Sequence, residues 1–242
     1  MKQICKLVVM LLLTFTAGVQ AQLVTYPESL NPGIPHNDDY TVRVRIPGGE
    51  WKDLFEYNVQ VDIDNVQKAS MVQFDMGSVV EVMVKKNNGS VREVTIRPLS
   101  KGIEYKQVQN AILFTLEKPQ YLSIEFDGDR LHNLHLFANP LETEKYDKEA
   151  KGIMYFSPGV HRPKDLPNNQ IRIPGNTIVY LAPGAVVKAK LLVDKAENVR
   201  IIGRGILDHP IRGIEVTDSK NVLIDGITVV TPEHYTIFGG GS

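Results

Sequence analysis

The sequence predicts an all-β protein, in which an N-terminal antiparallel β-sandwich precedes the first coils of a right-handed parallel β-helix. Three observations lead to this fold class. Short apolar segments that alternate with period two follow one another from residue 40 to residue 137. No helical period lies between these segments, which favours a sandwich of antiparallel strands. Toward the C-terminus a strand pattern repeats every 22 or 23 residues, a period typical of solenoids.

Residues 1–21 are expected to form a secretory signal peptide. Two lysines precede the apolar run Leu7 to Phe15, and compact residues stand at positions 19 and 21, before a cleavage point. A spanning helix needs about 20 apolar residues, so a cleaved signal is favoured over an uncleaved anchor, and no stable membrane anchor is expected after cleavage. The only cysteine, Cys5, would leave with the signal, which excludes disulfides and thiolate metal sites. The protein is therefore expected to be secreted or periplasmic.

The charge balance excludes a nucleic-acid partner. The sequence has 27 basic and 28 acidic residues. Removal of the signal takes away two lysines and no acids, which leaves 25 against 28 and a net charge near −3. A slightly acidic chain offers no basic field for a phosphate backbone.

The predicted sandwich covers residues 22–140, and the charged stretch 141–152 is expected to link it to the next domain. The alternating segment Thr41 to Ile46 stops at the breaker Pro47-Gly48-Gly49. Asn87-Asn88-Gly89 lies between two predicted strands and indicates a β-hairpin, because Asn and Gly accept positive φ. The other predicted strands span residues 54–63, 71–74, 79–85, 91–97, 111–116, 122–126 and 131–137.

The predicted start of the β-helix covers residues 153–242. Asn198-Val199-Arg200-Ile201 returns as Asn221-Val222-Leu223-Ile224, 23 residues later, and an earlier copy begins at Asn176. Asn suits a tight coil corner because it tolerates left-handed backbone, and Gly203 and Gly226 fit the next bend. A leucine-rich β/α solenoid is the alternative, which the lack of a helical period disfavours. About three coils are expected, and a further coil would begin after Ser242, so the repeat predicts a truncated β-helix.

Longer motifs connect these coils to a known family. The segments Tyr155 to His161, Ile178 to Lys188 and Ile201 to Asp208 resemble the opening coils of the polygalacturonase group, the pectin-lyase-like β-helix enzymes of glycoside hydrolase family 28. The sandwich of some bacterial relatives is similar to the N-terminal part of this chain. The dextranase and isopullulanase group, family 49, has a similar two-domain plan. The N-terminal motifs that carry the similarity are Gly48 to Trp51, Ser70 to Phe74, Arg97 to Leu99 and His132 to Pro140.

The resemblance implies a secreted, polygalacturonase-like glycosidase whose partner is a polysaccharide and which needs no cofactor. Such enzymes usually invert, with one carboxylic acid protonating the leaving oxygen while others activate water. The family carries this chemistry on Asn-x-Asp, Asp-Asp, Gly-His-Gly and Arg-x-Lys strings in its middle coils. Here Asn37-Asp38-Asp39 and Arg162-Pro163-Lys164 match three of these strings, but both lie before the coils. No catalytic residue is therefore assigned, the carboxylates are expected beyond residue 242, and this chain is expected to be inactive.

His234 and Tyr235 are the predicted substrate-binding residues. They follow the strand that ends at Val230, on a coil from which relatives often present a Trp and a His toward the substrate groove. Tyr235 could stack on a sugar face while His234 bonds a hydroxyl or carboxylate, and simple packing of the loop is the alternative. Asp208 is expected to cap backbone amides at a coil corner. Three scattered aspartates do not make a calcium site, so no metal ligand is assigned.

Two other functions remain open from the sequence. A polysaccharide lyase of the same fold would use calcium and a basic residue. A non-catalytic carbohydrate-binding module would need neither. Further coils downstream with paired aspartates would favour the hydrolase, whereas a calcium-ligand cluster with an Arg-rich coil would favour the lyase.

Overall fold

The computed structural model describes residues 22–26, 33–62, 64–162 and 169–241. The expected signal peptide lies outside these residues. In the described ranges the regular structure is β-strand, apart from one short 3-10 turn at Leu99–Lys101. The same ranges hold no helix that is long and apolar enough to cross a membrane.

Eleven strands form the N-terminal domain, in two sheets. Sheet S1 has the order β1-β5-β11-β10-β7 with β4 also on β5, and sheet S2 has the order β3-β2-β6-β9-β8. The strands are β1 (Leu23–Thr25), β2 (Tyr40–Arg45), β3 (Lys52–Asp53), β4 (Tyr57–Val61), β5 (Gln67–Met76), β6 (Val80–Lys86), β7 (Val94–Arg97), β8 (Tyr105–Val108), β9 (Ala111–Leu116), β10 (Gln120–Phe126) and β11 (Asp129–Pro140).

One apolar core lies between S1 and S2. Val42 and Val82 of S2 and Phe74 and Leu136 of S1 are fully buried in the same cluster. Strands β2, β5, β6, β7, β9, β10 and β11 send alternate side chains into this cluster, as the period of two requires. The predicted sandwich is therefore present, and its inner faces supply the apolar positions of the alternating segments.

Two details of the predicted sandwich are wrong. Asn87-Asn88-Gly89 does not close a hairpin, because β6 pairs with β2 and β9 while β7 pairs with β10, so the turn crosses between sheets. Its Asn87 is held instead by the neighbouring loop, with Nδ2 donating to the Asp38 carbonyl over 2.9 Å. The sandwich is also not wholly antiparallel, since β5 and β11 run parallel through the middle of S1.

The C-terminal domain is a parallel β-helix of four coils, one more than the repeat predicted. Its walls are three four-stranded parallel sheets, H1, H2 and H3. H1 contains β12 (Ile153–Phe156), β15 (Ile178–Leu181), β18 (Glu197–Gly203) and β21 (Lys220–Asp225). H2 contains β13 (Gly159–His161), β16 (Ala185–Val187), β19 (Ile206–Asp208) and β22 (Thr228–Val230). H3 contains β14 (Gln170–Arg172), β17 (Lys190–Asp194), β20 (Ile214–Thr217) and β23 (Ile237–Gly240).

The asparagine corners of the repeat are confirmed. Asn176, Asn198 and Asn221 all have positive φ, between 52° and 58°. Their side chains form a ladder along the helix, with Asn198 donating to Asn176 over 3.0 Å and Asn221 donating to Asn198 over 2.7 Å. Val199 and Ile201 point into the apolar interior while Arg200 points out, as the alternation predicts. The ladder sets the register of each coil on the one before it.

The stretch 141–152 between the domains lies over the outer face of H1. Glu144 receives two hydrogen bonds from the Arg200 guanidinium, at 3.0 and 2.8 Å. The ring of Tyr146 packs 4.8 Å from that of Tyr180, whose hydroxyl donates to Glu142 over 2.8 Å. The charges that marked this stretch as a linker therefore hold it against the β-helix.

The two domains share a buried interface. The outer face of S1 lies on the outer face of H2, where Met71 packs in one cluster with Val186, Ile206 and Val230. Beside this cluster the Arg204 Nε donates to Asp75 over 2.8 Å, and its Nη2 donates to the Pro140 carbonyl over 2.7 Å. The side chains of Arg204 and Asp75 are only 7% and 4% exposed. Apolar packing and a buried ion pair thus join the domains.

A histidine flanked by two carboxylates lies near the interface. The His36 ring is 3.1 Å from Glu56 and 2.7 Å from Asp38. Partial burial works to lower the pKa of His36, but the hydrogen bonds to Glu56 and Asp38 outweigh it and raise the pKa above 6.5. Burial raises the pKa of Glu56 above 4.5, although the Val42 amide and His36 oppose this.

Both shifts make the fold less stable as pH rises. Stabilisation by protonated His36 is complete below its ordinary pKa of 6.5 and is lost as pH rises through the higher pKa of the folded state. Stabilisation by protonated Glu56 is likewise lost as pH rises above 4.5, its ordinary pKa, and through the higher pKa of the folded state. We therefore expect the urea midpoint to fall between about pH 6 and about pH 8, and His36→Gln to reduce that fall. His234→Gln is the control, because exposed His234 forms no ion pair among the described residues. Equal pH dependence in the protein and in His36→Gln would contradict this account.

Candidate functional site

The predicted binding residues lie where the chain turns from H2 to H3. In the third coil this turn spans residues 209–213, and in the fourth it spans residues 231–236. The two turns are stacked closely. The Gly213 amide donates to the Tyr235 carbonyl over 3.2 Å, and the Glu233 amide donates to the Pro210 carbonyl over 3.0 Å. A Cβ on Gly213 would lie 2.3 Å from the Thr236 carbonyl oxygen, so no side chain fits between the turns.

Each turn begins with a left-handed residue. His209 and Thr231 both have a φ of 50°, and they follow the adjacent strands β19 and β22. Left-handed backbone is unusual for a β-branched residue such as Thr231. Strain of this kind is kept where the surrounding structure fixes it, and it is often found at functional sites.

Three rings and a guanidinium lie together on these turns and on β23, which follows the second of them. We call this surface the turn site; it consists of exposed His234 and Tyr235 and half-buried Arg212 and Phe238. The His234 and Tyr235 rings meet edge to face with centroids 4.4 Å apart, and Tyr235 lies 6.4 Å from Phe238. The Arg212 guanidinium lies 5.2 Å from the centre of the Phe238 ring. Tyr235 is 58% exposed. An open aromatic surface with a cation at its side suits a ligand that has both flat apolar faces and hydroxyl or carboxylate groups.

Two carboxylates flank the turn site. Asp208, which is 2% exposed, contacts Lys188 of the second coil and lies 2.5 Å from Nδ1 of His209. Asp208 therefore binds these two side chains, and not backbone amides as the sequence predicted. Next to it, Lys190 lies 2.7 Å from Glu215, which Arg212 also contacts. The hydrogen bond from Lys190 lowers the pKa of Glu215.

Sequence reasoning found His234 and Tyr235 but missed Arg212 and Phe238. Phe238 follows apolar Ile237 in the sequence, but the two side chains point to opposite faces of β23. The register of H3 places Ile237 beside inward Ile214 and Phe238 beside outward Glu215. The period of two was the available signal, because it separates neighbouring apolar residues onto opposite faces.

The other predicted residues do not join the turn site. Trp51 lies under the Arg45 guanidinium, 4.3 Å from its ring centre, in the sandwich. Asn37, Asp38 and Asp39 belong to the loop before β2, while Pro163 and Lys164 of the Arg-x-Lys string lie outside the described residues. In the described ranges no group of three or more His, Cys, Asp or Glu side chains is placed to hold a metal ion.

The fold and the turn site define a class of protein: a β-sandwich whose outer face packs on the first coils of a parallel β-helix, with an aromatic surface on the turns. No protein-family model and no curated protein matches the sequence. Among solved structures, Dex49A from Penicillium minioluteum is similar, with a TM-score of 0.66 and 18% identity. The match covers 85% of this chain and 56% of Dex49A, so the chain spans about half the length of that protein.

Proposed function

We propose that this chain is part of a secreted polysaccharide-degrading glycoside hydrolase and that its turn site binds the polysaccharide. The observation that carries the proposal is the structural likeness to Dex49A, a dextranase, which extends over 85% of this chain. The aromatic surface around Tyr235 supports it independently, since rings beside hydrogen-bonding groups recognise sugars. The polygalacturonase-like specificity stays a prediction from the sequence, and dextran is the alternative that the structural neighbour suggests.

We also propose that residues 1–242 bind the polysaccharide without cleaving it. Inverting hydrolysis needs two carboxylates on opposite sides of the scissile bond, one as acid and one as base. Asp208 and Glu215, the carboxylates beside the turn site, are held in ion pairs with lysines. Glu233 is exposed and forms no ion pair among the described residues, but one acid cannot perform both roles. Release of reducing sugar by the pure protein would contradict this part of the proposal.

The binding test is the variant Tyr235→Ala. We expect it to weaken binding of the purified secreted protein to its polysaccharide about tenfold, because loss of one stacked ring costs on the order of 1 kcal/mol. Affinity electrophoresis in gels containing dextran or polygalacturonate measures the effect and identifies the sugar. Tyr105→Ala is the matched control, since Tyr105 is an exposed tyrosine of S2, remote in sequence from the turns.

The outcomes separate the functions. Binding that is weakened only by Tyr235→Ala supports the turn site, and equal binding by the protein and both variants overturns it. Unsaturated products that form only with added calcium would indicate a polysaccharide lyase and would contradict the hydrolase proposal. Unchanged melting temperatures of both variants would show that neither substitution acts through the fold.

A further inference from the structure

A second aromatic surface lies on the sandwich, next to the part of S1 that contacts the β-helix, since half-buried Phe137 also packs against the interface cluster. It is an open groove of about 580 Å³ on the outer face of strands β7, β10 and β11. We call it the sandwich platform, and define it by Arg97, Leu99, Tyr121, Ser123, His135 and Phe137. Tyr121 is 56% exposed, which is unusual for a large side chain on an inner strand of a sheet, and Leu99, in the turn that follows β7, is 66% exposed.

The sheet register arranges the platform in two parallel rows. Tyr121 is opposite Phe137, and their rings meet edge to face with centroids 5.5 Å apart. Two residues along the strands, Ser123 lies between Arg97 on one side and His135 on the other. Neighbouring strands are about 4.8 Å apart, so a row across three strands spans roughly 10 Å. An apolar row and a polar row therefore run side by side across the strands.

The polar row has free hydrogen-bonding capacity. The Ser123 hydroxyl accepts from buried Asn133 over 2.6 Å, which leaves the hydroxyl proton to donate elsewhere. Arg97 donates from Nε to Glu125 over 2.7 Å, and its two terminal amino groups make no other hydrogen bond in the described part of the chain. Burial lowers the pKa of His135, so its ring is neutral at neutral pH and can both donate and accept.

Arg97 is the charged member of the platform, and it pairs with Glu125, whose side chain is only 6% exposed. Exposed Arg130 also lies 4.0 Å from Glu125, so two guanidinium groups share this carboxylate. The other members of the polar row are uncharged, and a ligand with hydroxyl groups can use their donors and acceptors. A stable protein partner would bury about 800 Å² on each side, which is more than this six-residue platform offers. Rings beside uncharged hydrogen-bonding groups favour a sugar.

We propose that the sandwich platform is a second carbohydrate-binding site, which takes a short stretch of neutral polysaccharide across strands β7, β10 and β11. Tyr121 and Phe137 stack on the sugar faces, and Ser123, His135 and Arg97 bond the hydroxyl groups. The inference rests on the proposed function, because the polymer bound here is the one that the turn site also holds. Two sites on one polymer raise the apparent affinity above that of either alone.

The test compares four proteins in dextran affinity electrophoresis: the purified protein, Tyr121→Ala, Tyr235→Ala and the double variant. We expect each single variant to bind about tenfold more weakly and the double variant to lose binding that the gel can resolve. Tyr105→Ala is again the control for loss of an exposed tyrosine. Sedimentation of the protein and of Tyr121→Ala without sugar shows whether the platform instead joins two copies of the chain.

Each outcome decides between the two sites. If Tyr235→Ala weakens binding and Tyr121→Ala does not, the proposal that the platform binds sugar is wrong and the proposal for the turn site is supported. If only Tyr121→Ala weakens binding, the platform proposal is supported and the turn-site proposal is wrong. If the protein binds no dextran, the platform proposal fails. If Tyr121→Ala loses a dimer that the unchanged protein forms, and its dextran binding is unchanged, the platform is a self-association surface and not a sugar-binding site.

Discussion

Arg204→Ala is expected to lower the free energy of unfolding by about 3–5 kcal/mol, because it leaves the Asp75 carboxylate buried without its partner. The guanidinium is 2.8 Å from Asp75, and Tyr26 also donates to the same carboxylate oxygen, over 2.6 Å. A single hydroxyl cannot replace the lost cation. The variant also removes the hydrogen bond to Pro140, where the sandwich ends. Urea denaturation followed by tryptophan fluorescence measures the loss, since Trp51 reports on the sandwich.

The control for Arg204→Ala is Arg43→Ala. Arg43 pairs with Asp53 on the surface of S2, where the two side chains are 44% and 66% exposed. Solvent screens such a pair, and its loss should cost on the order of 0.5 kcal/mol. Similar losses in the two variants would mean that water or another cation reaches Asp75, and the interface would then be less closed than its geometry indicates.

Gly203→Ala is expected to destabilise the β-helix by about 3 kcal/mol or more, from backbone strain and from overpacking together. Gly203 has a φ of 124°, which L side chains rarely adopt, and a Cβ there would lie 2.1 Å from the Leu181 carbonyl oxygen. The clash is with backbone of the preceding coil, so it is relieved only if the coils move apart. Hydrogen exchange of the coil amides around residues 181 and 203 would locate the damage.

Gly48→Ala separates the two causes. Gly48 also has positive φ, at 77°, but a Cβ there meets no atom within 4 Å. We therefore expect Gly48→Ala to lower the free energy of unfolding by only about 1 kcal/mol, because alanine adopts positive φ less readily than glycine. If Gly203→Ala loses no more than Gly48→Ala, the coil spacing at Leu181 adapts easily and the close approach contributes nothing.

The fold was predictable from the sequence where the determinants are local. The corners at Asn176, Asn198 and Asn221 repeat every 22 or 23 residues, and the backbone conformation they predict is found in all three. The prediction of a hairpin at residues 87–89 was wrong, because the turn residues fix a local bend but do not decide which strands β6 and β7 pair with. Pairing is decided by packing between segments far apart in sequence, as in the parallel pair of β5 and β11. No local pattern reports that choice.

The candidate surfaces were predictable only in part for the same reason. His234 and Tyr235 stand next to each other in the sequence, so a short motif was enough to find them. The Arg212 guanidinium lies beside the Phe238 ring of the next coil, and the Tyr121 ring contacts the Phe137 ring of the neighbouring strand. Aromatic residues in strands are expected in cores. The period of two allows such a ring to lie on an outer face, and the strand register shows that these rings do.

The interface between S1 and H2 has a consequence for how such chains can be recombined. Val186, Ile206 and Val230 face outward from their own coils, yet they are buried because the sandwich covers them. A β-helix transplanted without its sandwich would expose this stripe to water, and a foreign sandwich would have to match it residue by residue and supply a carboxylate for Arg204. The two domains therefore do not behave as interchangeable modules. Sequence changes on one side of the stripe are permitted only together with compensating changes on the other, so the pair evolves as a single unit.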